Sequence, residues 1–240
     1  MARITNPNDI VDEYVDDLRR GVGENLVSVF MYGSAVTHEF RPGVSLVRTG
    51  VVLTDASIAA LEPLAGLHRK WARWGMATPL FFPLDALGGA ARTFPVEFYE
   101  MQSNYRVLCG TDVLRDLQIR KGDLALQCAR ELRLISMELR EDYVKTGGRG
   151  DGEAMPGSLQ ERLVPLFRAL LALDGRAVPS ITSDMVGNVE DLYGLGLSVF
   201  ARLFGAPEGT AGRERPLEFY GQLLAALDTI AAALDVQGYC

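Results

Sequence analysis

The sequence predicts an α+β protein in which a small mixed β-sheet flanked by helices is followed by an all-α helical bundle. Short apolar runs rich in valine alternate with helical patterns over roughly the first 110 residues, whereas only long amphipathic patterns follow Gly110. A chain of 240 residues is long enough for two separate cores. We therefore expect a sheet-containing domain over residues 1–115 and a helical domain over residues 116–240.

The first domain is predicted to begin with a helix that ends near Arg20, because the apolar residues after Asn8 recur at helical spacing. A second helical pattern covers residues 57–74 and should cross back over the sheet. Short apolar runs bounded by glycine, proline and polar residues predict the strands. The predicted strands are residues 26–31, 46–53, 78–84 and 94–101.

The second domain is predicted to contain four helices separated by glycine and proline breakers. A glycine-rich segment over residues 147–152 is the stretch with the most flexible composition. The predicted helices are residues 121–145, 158–173, 182–204 and 215–234.

Composition and charge exclude several classes of protein. The hydrophobic fraction of 48% and the charged fraction of 23% are typical of a soluble globular protein. We find no run of about 18 or more apolar residues and therefore expect no membrane span. The N-terminal residues lack the basic-then-apolar layout of a secretory signal, which predicts a cytoplasmic location. The net charge of −7 disfavours general nucleic-acid binding but allows a small phosphorylated ligand in a local basic pocket.

The three cysteines are Cys109, Cys128 and Cys240. They are too few and too scattered for a disulfide framework or a CxxC metal site. We expect buried or idle thiols.

One stretch has the layout of a phosphate site. An apolar run ends in Gly33-Ser34, a polar loop closed by Pro42-Gly43 follows, and a second apolar run leads to Leu53. Glycine lets the backbone approach a phosphate closely, while an adjacent serine hydroxyl and backbone amides donate hydrogen bonds. Gly33 and Ser34 are therefore predicted to bind phosphate. His38 follows the turn and is a further candidate, although a loop histidine is more often only solvated.

This stretch resembles the Gly-Ser motif of the nucleotidyltransferase superfamily, which includes kanamycin nucleotidyltransferase, the aminoglycoside adenylyltransferases and the minimal nucleotidyltransferases of toxin–antitoxin pairs. The resemblance rests on Tyr32-Gly33-Ser34-Ala35, on residues 39–45 and on residues 51–53. It implies that the Gly-Ser turn holds a nucleoside triphosphate. It also implies that an Asp-x-Asp pair on the next strand binds two Mg²⁺ ions and that a later strand supplies a third carboxylate. A helical bundle after the catalytic domain is the arrangement of the kanamycin enzyme.

The sequence departs from this family at the metal ligands. Aligning the motif puts Leu46 and Arg48 at the two aspartate positions, and a shift of one residue puts Ser45 and Val47 there. Neither register supplies a carboxylate. A fixed arginine cation repels Mg²⁺ and can bind a phosphate directly, so Arg48 is a candidate phosphate ligand. The alternative for Arg48 is a solvated strand residue or an ion-pair partner of Glu97.

Glu97 is the candidate for the third, catalytic carboxylate, because it is an acidic residue within the predicted strand 94–101. The alternative is an edge-strand residue that faces water. One carboxylate does not build a two-metal site. We therefore predict no metal site.

Two further groups of residues have both a structural and a functional interpretation. Trp71 and Trp74 are at helical spacing, which favours packing over base stacking. The acidic residues of the helix 121–145 could include a general base that activates an acceptor hydroxyl, but a solvated helix face with ion pairs is the commoner role. These residues are Glu131, Glu138, Glu141 and Asp142.

Three functions remain open from the sequence. The first is a catalytically degenerate nucleotidyltransferase that retains nucleotide or phosphate binding. The second is an active enzyme that transfers a nucleotidyl group to a small-molecule hydroxyl, with Mg²⁺ and a nucleoside triphosphate, using acids such as Glu39, Asp55 and Glu97. The third is a non-enzymatic interaction protein that forms a homodimer through its helical half, for which residues 217–234 with their Ala-Ala pairs leave room, although a bundle core explains them equally.

Overall fold

The computed structural model describes residues 5–38, 40–148, 156–179, 181–195, 199–205 and 216–236. Glu39, Cys240 and residues 149–152 of the glycine-rich segment lie outside the described residues. The chain divides into two compact units. The first comprises Met1–Thr93 and Glu97–Gln118, and the second comprises Phe94–Val96 and Ile119–Cys240.

The first unit contains a mixed four-stranded sheet in the order β3-β2-β1-β4. Strand β1 pairs antiparallel with both β2 and β4, and β2 pairs parallel with β3. The predicted mixed sheet is therefore confirmed. The strands are β1 (Leu26–Tyr32), β2 (Arg48–Leu53), β3 (Leu80–Pro83) and β4 (Tyr105–Gly110).

Five helices accompany this sheet: α1 (Val11–Val22), α2 (Ile58–Leu61), α3 (His68–Arg73), α4 (Leu87–Thr93) and α5 (Pro95–Ser103). The predicted first helix corresponds to α1. The predicted single helix over residues 57–74 is wrong, because a 3-10 turn over Glu62–Leu64 separates α2 from α3. Pro63 lies within this turn, where its lack of an N–H group and its ring prevent a continuous α-helix.

The predicted strand over residues 94–101 is also wrong, since this segment forms α5 and the last strand begins only at Tyr105. Pro95 explains the difference. Proline removes a ladder hydrogen bond from a central strand, but it is well tolerated in the first turn of a helix. The neighbouring Val96 N–H, which a helix start leaves without a helical partner, donates to the Gln127 side-chain oxygen at 2.8 Å.

One face of the sheet packs on α1 and α3. Tyr14 of α1 and Trp71 of α3 are fully buried, with an edge-to-face contact at 4.8 Å between ring centroids. The Tyr14 hydroxyl is 2.8 Å from the Thr49 hydroxyl of β2, which satisfies both polar groups inside the core. The packing role predicted for Trp71 is thus confirmed. Trp74 is half-buried, and the Lys70 ammonium nitrogen lies over its ring, 5.1 Å from the ring centroid.

Asp17 links α1 to α3 through a buried carboxylate that is only 5% exposed. It accepts from Arg20 at 2.6 Å, from Lys70 at 2.7 Å and from the Trp71 indole N–H at 3.0 Å. Burial pushes the pKa of Asp17 up, but the bonds from Lys70 and Trp71 and the nearby positive charges outweigh burial and lower it below its usual value. The carboxylate is therefore held in its charged form.

The second unit is helical. Helix α6 packs along α10 and also contacts α7, while α8 contacts α7 and α9. The predicted helix over residues 182–204 is divided into α8 and α9. The helices are α6 (Lys121–Lys145), α7 (Pro156–Leu173), α8 (Thr182–Leu192), α9 (Val199–Gly205) and α10 (Pro216–Val236). Cys128 is buried in α6, as predicted, and Cys109 in β4 is half-buried.

Helix α10 is long and apolar enough over Leu217–Asp235 to cross a membrane, with a mean hydropathy of 1.2, and 39% of that window is buried. Core helices of soluble proteins pass the same test of length and composition. One face of α10 is fully buried within the second unit, and Asp228 pairs with Arg140 of α6 at 2.8 Å. The residues of that face are Leu223, Leu227, Ile230 and Leu234.

We expect Asp17→Asn to lower the free energy of unfolding by about 2 kcal/mol, because hydrogen bonds to a buried charged acceptor are replaced by weaker neutral ones. Urea denaturation followed by circular dichroism measures this change. Glu13→Gln is the matched control. Glu13 also pairs with Lys70 but its side chain is 55% exposed, so its loss should cost no more than about 0.5 kcal/mol.

The same carboxylate predicts the pH dependence of stability. Because the pKa of Asp17 is lower in the folded chain than in the unfolded chain, its contribution is complete above the unfolded value and is lost as the pH falls through the folded value. The free energy of unfolding should therefore fall as the pH drops below about 4. Asp17→Asn should flatten this part of the profile. An unchanged slope in the variant would contradict the assignment.

Candidate functional site

The Gly-Ser turn directly follows β1 as a 3-10 turn over Gly33–Val36. Gly33 has φ 73°, a left-handed conformation that glycine adopts without strain. Its N–H donates to the Asn104 carbonyl at 2.9 Å, and the N–H of Thr37 donates to the Ser34 carbonyl at 3.1 Å. The turn is therefore held at both ends by backbone hydrogen bonds.

The polar loop that leads to β2 is a compact turn from Arg41 to Ser45. The Ser45 N–H donates to the Arg41 carbonyl at 2.9 Å, and the Arg41 N–H donates to the Ser45 hydroxyl at 3.0 Å. Gly43 has φ 81°, which fits the predicted Pro-Gly turn. The side chain of Ser45 thus closes the loop.

Side chains alternate strictly where this loop enters β2. Val47 is 2% exposed and belongs to the core beneath α1 and α3, whereas Leu46 is 53% exposed and Arg48 is also exposed. Successive residues of an extended chain point to opposite faces of the sheet. Leu46 and Arg48 therefore lie on the face of the sheet that points away from the α1–α3 core.

Arg48 lies beside the end of β1, since it is the register partner of Tyr32, the residue before Gly33. Burial raises the pKa of the Tyr32 hydroxyl, and the Arg48 guanidinium opposes this rise by its positive charge. A fixed cation therefore lies next to the start of the Gly-Ser turn. Tyr32 is a part of the site that the sequence motif contains but that periodicity did not single out.

On the face of the sheet that carries Arg48, an aromatic ring packs over a glycine. Phe30 is the register partner of Gly50 and lies directly over it, so that a Cβ atom on Gly50 would come within 2.2 Å of the Phe30 ring. Leu80 of β3, which is 43% exposed, is the register partner of Gly50 on the other side. Glycine at position 50 thus allows the close approach of the Phe30 ring.

Neither Glu97 nor Asp55 lies on a strand beside Arg48. Glu97 is an exposed residue of α5, about 10 Å along the helix axis from Asn104, which contacts the Gly-Ser turn. Asp55 lies two residues beyond the far end of β2, which is itself about 16 Å along the strand from Arg48, and its carboxylate accepts from the Ser57 N–H. His38 is exposed just after the turn.

Among the described residues, no three His, Cys, Asp or Glu side chains are grouped so that they could hold a metal ion. Leu46 and Arg48, the two positions that one alignment of the motif assigns to metal ligands, are an aliphatic side chain and a cation. Whether Glu97 has a catalytic role stays a prediction.

The acidic residues of α6 include two that bind other helices. Glu138 pairs with Arg162 of α7, and Asp142 accepts from the Tyr220 hydroxyl of α10 at 2.5 Å. Burial and the Asp142 carboxylate both raise the pKa of Tyr220. These contacts match the structural interpretation of the two acids.

No protein-family model matches the chain, and no curated protein matches it. Among solved structures, the chain is similar to the crystal structure of spectinomycin adenyltransferase AAD(9) from Enterococcus faecialis with ATP and spectinomycin. The TM-score is 0.52 at 15% sequence identity, and the match covers 96% of this chain and 100% of the other. At this identity the similarity shows the fold alone, which is nucleotidyltransferase-like.

We expect Gly50→Ala to destabilise the protein by about 1–3 kcal/mol, because the added methyl group overlaps the Phe30 ring. Urea denaturation of Gly50→Ala, Phe30→Leu and the double variant measures the coupling between the two positions. The double variant should be more stable than the sum of the single changes predicts, by at least about 0.5 kcal/mol. Gly88→Ala is the control, since its Cβ atom meets nothing within 4 Å.

Proposed function

We propose that this chain is a nucleotidyltransferase-like protein that has lost metal-dependent transfer and retains an anion site at the Gly33-Ser34 turn. Arg48 takes the place of one metal ligand in this proposal. The observation that carries it is the position of Arg48, which is exposed at the start of β2 and is the register partner of Tyr32.

Electrostatics favours an anion over a divalent cation at this position. A Mg²⁺ ion about 4 Å from a guanidinium is repelled by about 2 kcal/mol in a water-like dielectric and by about 8 kcal/mol at an effective dielectric of 20. A carboxylate pair reverses the sign of this term. An arginine instead forms bidentate hydrogen bonds with phosphate oxygens and carries a charge that is independent of pH in the physiological range.

The register of β2 supports the same assignment. The alternative alignment would put a metal ligand at Val47, which is 2% exposed and packed in the α1–α3 core. Only the Leu46 and Arg48 positions face away from that core. The proposal therefore takes these two residues as the equivalents of the missing aspartates.

The class of ligand is taken from the resemblance and from the structural neighbour, whose crystal structure contains ATP. We propose that a nucleoside triphosphate or its phosphate groups bind this chain without Mg²⁺. Gly33 and Ser34 would receive the phosphates at the turn, and Arg48 would supply the charge that a metal ion supplies in an active enzyme.

Isothermal titration calorimetry with ATP, in Mg²⁺ and in EDTA, tests the proposal. We expect ATP affinity that Mg²⁺ does not increase. Arg48→Ala should weaken binding about tenfold or more, because a charged hydrogen bond is worth about 1.5–3 kcal/mol. Arg69→Ala is the matched control, since Arg69 is exposed on α3, on the other side of the sheet.

The double variant Leu46→Asp/Arg48→Asp extends the test to the metal. We expect it to bind ATP only when Mg²⁺ is present, because it carries the two missing carboxylates and lacks the cation. Binding of ATP by the natural sequence that requires Mg²⁺, or Mg²⁺-dependent nucleotidylation of spectinomycin or another hydroxylated acceptor, would contradict the loss of metal chemistry.

A further inference from the structure

Helix α6 carries an exposed apolar stripe on the side opposite its buried face. Its buried residues, such as Leu132, Ile135 and Leu139, lie on one side of the helix. Four large apolar side chains on the other side are 41–77% exposed. These are Leu126, Leu134, Met137 and Val144.

Two oppositely charged residues complete this stripe. Arg130 and Glu141 are separated from the apolar residues by three or four positions, which brings all six side chains to one face of the helix. Arg130 is 62% exposed, and its described ion pair is with the adjacent Glu131 at 3.1 Å. Glu141 is exposed. In order along α6, the stripe consists of Leu126, Arg130, Leu134, Met137, Glu141 and Val144.

The stripe is complementary to itself when its direction is reversed. Placed antiparallel on a second copy, Leu126 meets Val144 and Leu134 meets Met137, while Arg130 meets Glu141. Each contact occurs twice, as a two-fold axis requires. The apolar residues are therefore paired with apolar residues, and both charges are paired with the opposite sign.

Two other arginines of α6 form ion pairs with α10 and lie beside the stripe. Arg133 pairs with Asp235 and Arg140 pairs with Asp228, so both are engaged with α10 along one border of the stripe. The exposed charges within the stripe are those of Arg130 and Glu141. This pattern favours another copy of the same surface over a uniformly acidic, basic or lipid partner.

We propose that this chain forms a symmetric homodimer through the α6 stripe, with two antiparallel α6 helices in contact. Arg130 of each protomer binds Glu141 of the partner subunit. The apolar residues near the centre, Leu134 and Met137, exclude water from the two-fold axis.

The size of the surface predicts a weak, reversible dimer. The stripe from Leu126 to Val144 is about 27 Å long, because 18 helical residues each rise about 1.5 Å. Its width is that of one helix, about 10 Å. This is smaller than the roughly 800 Å² per partner of a standard stable interface. We expect a dissociation constant in the micromolar range, about 1–100 μM.

Sedimentation velocity of the full chain from about 1 to 500 μM measures this equilibrium, a range chosen to bracket the expected dissociation constant. Met137→Asp should weaken dimerisation at least tenfold, because it places a carboxylate beside the two-fold axis. Leu217→Asp is the matched control and should leave the dissociation constant unchanged, since Leu217 is 68% exposed on α10, outside the stripe. Both sites are exposed, and circular dichroism verifies the fold of each variant.

Charge reversal tests the antiparallel register itself. Arg130→Glu alone and Glu141→Arg alone should each weaken self-association, because each puts two like charges together on both sides of the axis. The two single variants, mixed in equal amounts, should form a heterodimer, since every pair across the axis then has opposite charges. The double variant Arg130→Glu/Glu141→Arg should dimerise about as well as the natural sequence.

Three results would overturn the proposal. The first is a protein that remains monomeric at 500 μM, because this concentration is well above the expected dissociation constant. A dimer that Met137→Asp leaves intact uses another surface. Single charge variants that fail to associate when mixed, although the natural sequence dimerises, would refute the antiparallel pairing of Arg130 with Glu141.

Discussion

The antiparallel pairing of β1 with β2 is the constraint on which the core and the candidate site both depend. It places Tyr32 opposite Arg48 and Phe30 opposite Gly50. Once this register is set, the period-two alternation of an extended chain sends Val47 into the α1–α3 core and Arg48 to the opposite face. A shift of one residue would bury the arginine and expose the valine, which makes the register costly to change.

Polar bonds beneath the sheet keep this arrangement in place. The Tyr14 hydroxyl bonds Thr49 in β2, one residue after Arg48, and Asp17 joins α1 to α3 through Lys70 and Trp71. Tyr14, Thr49, Asp17 and Trp71 are buried and Lys70 is half-buried, and each of these polar groups has a hydrogen-bond partner that helps to orient the helices.

The sequence predicted the elements whose signals are local and consistent. Valine-rich β1, amphipathic α1 and the long α6 with its glycine-rich end could all be placed from periodicity and breakers. Residues 94–101 could not, because their apolar pattern fits a short strand as well as a helix. Pro95 was the signal that should have decided in favour of a helix start. The candidate acid Glu97 was therefore placed on a strand when it lies on α5.

The alignment of the candidate site could not be decided from the motif. The motif gave Gly33 and Ser34 as candidate residues, but it allowed the family's two aspartate positions to be Leu46 and Arg48 or Ser45 and Val47. The choice between these two alignments depends on which side chains pack in the α1–α3 core, and packing depends on the tertiary structure. Tyr32 was visible only as part of the motif, since its contribution depends on its neighbour across the strands.

The fold and the chemistry of this site are physically separable. Leu46 and Arg48 are exposed, so the stability of the sheet does not specify what stands at these positions. Val47 and Val51 are buried on the α1–α3 face, and Phe30 and Val52 are buried on the face that carries Arg48. The residues at these two exposed positions can therefore change in charge while the scaffold persists, because the free energy of folding depends on the residues buried on the two faces of the sheet. The stability of the sheet therefore does not explain why an arginine stands at position 48.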